Sequence, residues 1–125
     1  MRRILLVDDE EILTRTLAET LKSQLEVTIV TAHSGHEAIA ILFHERFDVV
    51  VVDYHMPNGN GADVLRFLAR QSWPTLSVLF TSELRPTLPP MNKYFLGIVE
   101  KPNVKELFRK IVEAISPYGP PESGG

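Results

Sequence analysis

Short apolar runs alternate along the chain with stretches in which apolar residues recur at helical spacing. Five runs are predicted to form strands: residues 4–7, 27–30, 48–53, 76–80 and 97–99. Each is too short for a typical helix, and most are rich in branched side chains. The third run is the clearest, because the four consecutive valines at 49–52 are typical of a central parallel strand that is buried on both faces.

The stretches between these runs favour amphipathic helices. Helices are predicted over residues 10–24, 35–43, 62–71 and 104–115, where apolar residues recur every three or four positions. Ser34 and Glu37 have the spacing of a capping box, and Asn103 is placed to cap the last helix.

One stretch breaks this alternation. Residues 83–93 stand where a helix is expected between the fourth and fifth strands, but they contain Pro86, Pro89 and Pro90. Proline lacks a backbone N–H and clashes inside a helix, so we expect this fourth helix to be short or irregular. Residues 117–125 are rich in proline and glycine and predict a linker or a disordered C-terminal tail.

The order of elements predicts an α/β fold. Strands that alternate with helices form a parallel sheet with helices on both faces and right-handed crossovers. A chain of 125 residues fits one domain, which we place at residues 1–116.

Composition narrows the class of protein in three respects. The formal net charge of -3 argues against binding nucleic acid or an anionic membrane through bulk charge. The absence of cysteine excludes disulfides and thiolate metal sites. The apolar run after Arg3 is shorter than that of a signal peptide, and no stretch approaches the roughly 20 apolar residues of a membrane span. We therefore expect a cytoplasmic protein without a membrane segment.

The carboxyl ends of the predicted strands carry most of the candidate chemistry. Asp8 and Asp9 follow the first strand, Asp53 ends the third, Thr81 follows the fourth, and Lys101 follows the fifth. Ligands of open α/β sheets bind outside the carboxyl ends of the strands, so we expect these side chains to meet at one edge.

This set of residue types restricts the possible chemistry. Three carboxylates held close together repel one another unless a cation sits among them. Mg²⁺ fits, because it takes one or two carboxylates, waters and a phosphate oxygen. A lysine and a hydroxyl beside such an ion equip a carboxylate to accept a phosphoryl group as an acyl phosphate. Asp53 is the expected nucleophile, because it ends the central strand.

The chain resembles the receiver domains of two-component response regulators over residues 1–116. The matching residues are Leu6-Val7-Asp8-Asp9-Glu10, then Ala32, Gly35, Glu37 and Ala38, then Val52-Asp53-Tyr54-His55-Met56-Pro57 with Gly61, then Thr81-Ser82 and Lys101-Pro102. The resemblance implies a flavodoxin-like (βα)5 doubly wound fold with a five-stranded parallel sheet of order 2-1-3-4-5.

The resemblance also implies a metal site. Asp9 matches a direct Mg²⁺ ligand, Asp8 matches a ligand that acts through water, and Asp53 contributes a carboxylate oxygen. His55 matches the position whose backbone carbonyl completes the site. Mn²⁺ is implied as a substitute for Mg²⁺.

The roles in phosphoryl transfer follow in the same way. The resemblance implies that Asp53 is the phosphoacceptor, Thr81 the switch hydroxyl and Lys101 the cation that pairs with the phosphoryl group. The implied donors are a sensor histidine kinase, a phosphotransfer protein or a small phosphodonor. Such a domain is no enzyme with an external substrate; it switches an output domain or a partner protein, in some cases as a homodimer.

Two features depart from the family pattern. Three residues before Lys101, similar domains usually carry an aromatic side chain, but this chain has Ile98, which is stiff and cannot swing a ring. The prolines within residues 83–93 lie where the fourth helix normally contributes to the output face. We therefore expect the phosphorylation chemistry to be retained and the output surface to be atypical.

The histidines receive two interpretations. His55, two residues after Asp53, is a candidate for controlling the access of water to the phosphoryl group. His33, His36 and His44 lack the spacing of a metal site and are interpreted as surface residues.

Other functions are considered beside this one. A receiver-like adaptor that binds a partner without phosphorylation is favoured by Ile98 and the prolines, but the complete set of acids and Lys101 argues against it. A Mg²⁺-dependent phosphohydrolase would need an acid at position 55 and a cap domain. A nucleotide-binding flavodoxin-like protein would need a phosphate loop in place of Asp8-Asp9.

Overall fold

A five-stranded parallel sheet forms the centre of the molecule. The computed structural model describes residues 1–116. The strands are β1 Arg2–Val7, β2 Val27–Ala32, β3 Val49–Val52, β4 Leu76–Thr81 and β5 Phe95–Glu100. They lie in the order β2-β1-β3-β4-β5, and every neighbouring pair is parallel, which confirms the predicted fold class and strand order.

The four helices within residues 1–116 cover both faces of this sheet. They are α1 Glu11–Gln24, α2 Gly35–His44, α3 Gly61–Arg70 and α4 Val104–Ile115. All four predicted helices are confirmed, with ends that differ by one residue or none. The predicted linker or tail at 117–125 lies outside the described residues.

The helix caps agree with the sequence in part. The Asn103 side chain accepts the backbone N–H of Glu106, as expected of a cap. The Ser34 hydroxyl accepts the N–H of Glu37, but the Glu37 carboxylate takes the N–H of His33. The reciprocal half of the predicted capping box is therefore shifted by one residue. A complete box, which was not predicted from the sequence, opens α3 at Asn60 and Asp63.

The sheet separates two apolar layers. Alternate residues of β1 and β3, such as Leu6 and Val51, face α1 and α4, while their neighbours, such as Leu5 and Val50, face α2 and α3. Because both faces are covered, every residue of β3 is buried. This two-sided burial is the physical reason for the run of four valines.

Four strands are longer than their predicted runs: β2 and β4 end two residues and one residue later, and β1 and β5 begin two residues earlier. β1 begins at Arg2, because the backbone N–H of Arg3 donates to the Asp48 carboxylate at 2.8 Å and residues 2 and 3 already pair with β2. β5 begins at Phe95, and its register with β4 shifts around Gly97, which has a φ of 115°. An apolar pattern misses the start of β1 because its first residues are arginines, and it misses the start of β5 because the strand is irregular at Gly97.

The connection between β4 and β5 contains bends and a turn but no helix. We call residues 82–94 the proline segment. Leu88 and Met91 pack against the apolar layer of α2 and α3, whereas Leu84 is 77% exposed. The expected irregularity of this stretch is thus confirmed, but no helix of any length forms between β4 and β5. The side chains of Leu88 and Met91 cover the core there instead.

None of the helices within residues 1–116 has the length and hydropathy that crossing a bilayer requires.

Two leucine substitutions test this division between core and surface. Leu79→Ala removes a fully buried side chain of β4 and should lower the free energy of unfolding by about 2 to 5 kcal/mol. Leu84→Ala, the matched control in the proline segment, should change it by no more than about 0.5 kcal/mol. Urea denaturation measures both, and equal losses would contradict the described packing.

Candidate functional site

The register of the strands brings the predicted site residues to one edge of the sheet. Val7 pairs with Val52, so the residues that follow, Asp8 and Asp53, are neighbours. The backbone N–H of Asp53 donates to the carbonyl of Val7 at 2.9 Å, which extends the ladder to this point. On the other side of β3, the N–H of Lys101 donates to the carbonyl of Thr81 at 2.9 Å.

The three predicted carboxylates form one cluster. Asp8, Asp9 and Asp53 each offer a carboxylate oxygen, and these oxygens lie within 4.8 Å of one another. Asp8 and Asp53 are only 5% and 7% exposed, while Asp9 is exposed. Oxygen ligands at this spacing, with one side open to solvent, suit a Mg²⁺ ion that keeps several waters.

The ammonium group of Lys101 is a positive charge that the protein itself places among these carboxylates. Its Nζ donates to Asp8 Oδ2 at 2.7 Å and to Asp53 Oδ2 at 3.2 Å. Burial on its own lowers the pKa of Lys101, but the hydrogen bonds and charges of Asp8 and Asp53 outweigh it and hold that pKa above its usual value. One ammonium against three carboxylates leaves two negative charges, which a divalent cation would balance.

Thr81 is the buried hydroxyl of the site. It is 1% exposed, and its Oγ1 accepts the backbone N–H of Glu83 at 3.1 Å. A hydroxyl that accepts in one bond keeps its own proton for a second partner. Thr81 can therefore donate to an anionic group that arrives beside Asp53.

The residues after Asp53 connect the site to the proline segment. The Asp53 carboxylate accepts the N–H of Tyr54 through Oδ1 at 2.8 Å. The His55 ring packs edge-on against Tyr54, and its Nε2 lies 2.5 Å from Glu83 Oε2. This hydrogen bond lowers the pKa of the Glu83 carboxyl below its usual value. His55 follows Asp53 by two positions along the chain, and Glu83 follows Thr81 by two.

Two glycines of the motif permit a close approach of backbones around Asp53. A Cβ on Gly61 would lie 2.3 Å from the carbonyl oxygen of Asp53, and a Cβ on Gly35 would lie 2.4 Å from that of Gly59. Any other residue at these positions would force the backbone apart. The first turns of α2 and α3 can therefore pack directly onto the loop that follows β3.

Two partners in the site were not predicted from the sequence, and the prediction for a third residue was incomplete. Glu10 is a further acceptor for Lys101, at 3.3 Å, and Glu83 pairs with His55. His33 is half-buried, not a plain surface residue, and its Nδ1 lies 3.0 Å from the carbonyl oxygen of Asp8. Glu10 and His33 both closely follow strand ends, a signal that could have identified them.

Residues 4–113 match the family model described as the response regulator receiver domain. The chain belongs to this family. The recognition made from the motifs is thereby confirmed, and the chain is a receiver domain of two-component systems.

Curated relatives place similar domains in larger proteins. The receiver is 38% identical over 82 residues to the transcriptional regulatory protein CpxR of Klebsiella pneumoniae, a match that covers 66% of this chain and 34% of CpxR. It is 33% identical over 87 residues to a protein-glutamate methylesterase/protein-glutamine glutaminase of Nitrosospira multiformis, covering 69% of this chain and 24% of that protein. The chain thus spans about a third or less of the length of these relatives.

Solved structures share the whole fold. The response regulator TrrA of Thermotoga maritima, in complex with Mg²⁺-BeF, superposes with a TM-score of 0.77 at 29% identity, covering 89% of this receiver and 96% of that chain. A structure of TrrA in complex with the histidine kinase ThkA gives a TM-score of 0.78 at 29% identity, covering 93% and 100%.

Magnesium binding tests the acidic cluster directly. At ten times its dissociation constant, Mg²⁺ should raise the free energy of unfolding of the wild type by about 1.4 kcal/mol. Asp9→Asn should weaken Mg²⁺ binding at least about tenfold, because the loss of even an outer-shell hydrogen-bond partner lowers metal affinity by about that factor. Glu19→Gln, which removes an exposed acid of α1, should leave binding unchanged. Denaturation with and without Mg²⁺ measures the effect, and wild-type indifference to the ion would contradict the site.

Proposed function

We propose that this receiver domain accepts a phosphoryl group on Asp53 in a Mg²⁺-dependent reaction and thereby switches an output domain or a partner protein. The observation that carries the proposal is the position of the Asp53 carboxylate. It lies 3.2 Å from the Lys101 ammonium and within 4.8 Å of ligand oxygens from Asp8 and Asp9. A nucleophile, a cation and a metal-ligating pair thus stand together, as transfer of a dianionic group requires.

The metal would be held by residues already described. Asp9 and Asp53 would supply carboxylate ligands, Asp8 would act through water, and the backbone carbonyl of His55 would complete the set. Mg²⁺, or Mn²⁺ in its place, supplies charge neutralisation of the phosphoryl oxygens. The complex of TrrA with Mg²⁺-BeF supports this assignment, because TrrA shares the fold at 29% identity.

The transfer itself exchanges one bond for another. An oxygen of Asp53 attacks the phosphorus of a phosphohistidine, the P–N bond breaks, and the imidazole of the donor recovers the electron pair and takes up a proton. The product is an acyl phosphate on Asp53. A sensor histidine kinase, a phosphotransfer protein or a small phosphodonor can provide the group, and the complex of TrrA with ThkA supports a kinase as partner.

Lys101 and Thr81 would hold the transferred group. Lys101 bridges Asp8 and Asp53, so its ammonium can give up the Asp53 contact and bind a phosphoryl oxygen without leaving Asp8. The Thr81 hydroxyl keeps a proton that it can donate to the same group. We assign the domain no external substrate: it would catalyse only its own phosphorylation and dephosphorylation, in the cytoplasm.

A phosphorylation-independent adaptor is the second candidate. Ile98 is 45% exposed where an aromatic side chain is usual, and the proline segment replaces a helix. Both features favour an output surface unlike that of ordinary receivers. Any homodimer formed through this surface would differ in the same way. The buried ion pairs of Lys101 favour the phosphorylation-dependent function, because an adaptor gains nothing from three crowded carboxylates.

Acetyl phosphate distinguishes these two functions. With Mg²⁺, the wild type should gain one phosphoryl group by intact mass, and Asp53→Asn should gain none, because an amide is no nucleophile for phosphorus. Glu26→Gln, at an exposed acid before β2, is the matched control and should be modified like the wild type. Modification of Asp53→Asn, or none of the wild type, would contradict the proposal.

The lifetime of the acyl phosphate tests the role of His55. His55→Ala removes the partner of Glu83 beside Asp53 and should admit water, shortening the half-life by about twofold to tenfold, or up to about 1.4 kcal/mol of barrier. His44→Ala, at the exposed end of α2, should have no effect. Phosphate release after removal of the donor gives the half-life, and equal lifetimes at several pH values would remove this role.

A further inference from the structure

The proline segment has little structure of its own. Its three prolines donate no backbone hydrogen bonds, and it forms neither helix nor strand. Its position therefore depends on contacts with the rest of the molecule. Leu88 and Met91 provide apolar contacts, and hydrogen bonds to β4 and to the residues after β3 hold the polar part.

Three polar anchors hold residues 83–87 of the segment. The N–H of Glu83 donates to the Thr81 hydroxyl, and the Glu83 carboxylate pairs with His55. The third anchor is Tyr54, whose hydroxyl accepts the N–H of Thr87 at 3.2 Å and donates to the Thr87 carbonyl at 3.3 Å. Each of these three anchors is either Thr81 itself or one of the two residues after Asp53. At the far end of the segment, the carbonyl of Tyr94 accepts the N–H of Ser77 at 3.0 Å.

Tyr54 is the anchor that touches the phosphoacceptor most directly. Its backbone N–H donates to Asp53 Oδ1 at 2.8 Å. Its half-buried ring belongs to the same apolar layer as Leu88 and Met91. One rigid residue thus joins a carboxylate oxygen of Asp53 at one end to the backbone of the proline segment at the other.

We propose that Tyr54 is a positioning residue that couples the state of Asp53 to the proline segment, so that the exposed edge around Leu84 and Arg85 is the surface that changes when the site is occupied. This inference rests on the proposed function. An acyl phosphate no longer carries the negative charge of the carboxylate, so the bond from the Tyr54 N–H loses its charge assistance, which is about half of its strength. The Thr81 hydroxyl turns to the new group at the same time, which alters the Glu83 anchor.

The rate of hydrogen exchange at the Thr87 amide measures this coupling. Tyr54→Phe removes only the hydroxyl, and with it both of its hydrogen bonds to Thr87. Loss of the bond that the Thr87 N–H donates should speed exchange of that amide about fivefold. Tyr94→Phe, the matched control, removes a hydroxyl for which the described residues show no hydrogen bond, and should leave Thr87 unchanged.

Mg²⁺ with beryllofluoride then tests the response to occupancy. In the wild type, beryllofluoride with Mg²⁺ should change the exchange rates of the Thr87 and Glu83 amides several-fold, a factor similar to that expected for Tyr54→Phe. In Tyr54→Phe the Thr87 response should be lost, while Asp53 is modified by acetyl phosphate to the same extent as in the wild type. Retention of modification separates positioning from a general loss of structure.

The outcomes separate the two proposals. Wild-type protein that acetyl phosphate modifies on Asp53, but whose Thr87 exchange ignores beryllofluoride, would overturn the coupling and leave the proposed function standing. An equal Thr87 response in wild type and Tyr54→Phe would also overturn it. Wild-type protein that neither reagent modifies would overturn both.

Discussion

The balance of charge at the carboxyl edge of the sheet is the constraint on which the rest of the structure depends. Asp8 and Asp53 are almost fully buried, and buried carboxylates are stable as anions only when cations and hydrogen bonds replace the lost water. Lys101 provides one cation to both of them. The single charge of Lys101 does not neutralise the whole cluster, and a divalent cation would balance the negative charge that remains.

The sheet makes this unfavourable cluster possible by fixing the backbone beneath it. β1 and β3 are central strands, covered by helices on both faces, so their ends cannot separate to relieve repulsion between Asp8 and Asp53. Gly61 adds to this rigidity, because its lack of a side chain lets α3 begin directly against the Asp53 carbonyl. The free energy of the apolar core thereby holds a polar site in a geometry that it would not adopt alone.

Most of the fold could be predicted, because burial on both faces leaves a simple signal. The valines at 49–52 mark a central strand whatever surrounds them, and the rule that ligands bind at the carboxyl ends of strands was enough to bring Asp8, Asp53 and Lys101 together. The start of β1 could not be predicted, because Arg2 and Arg3 pair in the sheet without an apolar pattern. The start of β5 was missed because a register shift around Gly97 separates Phe95 from the run at 97–99. The missed side-chain contacts have a related cause: Glu83 and His55 are 28 positions apart, and their pairing depends on the path of a segment without regular structure. Sequence patterns specify which backbone ends meet, whereas the partners of long side chains follow only after the loops are placed.

The proline segment shows how the loss of one helix changes the requirements on its neighbours. A helix satisfies its own backbone groups, so it can shift as a unit and keep its internal hydrogen bonds. Residues 82–94 lack that internal support, and Tyr54, Thr81 and His55 take over the task of holding them. Tyr54 and His55 directly follow Asp53 after β3, and Thr81 ends the neighbouring strand β4. A segment held in this way has a position that depends on the site more directly than a self-supporting helix would, and a stiff, exposed Ile98 can then stand where a mobile aromatic ring is usual.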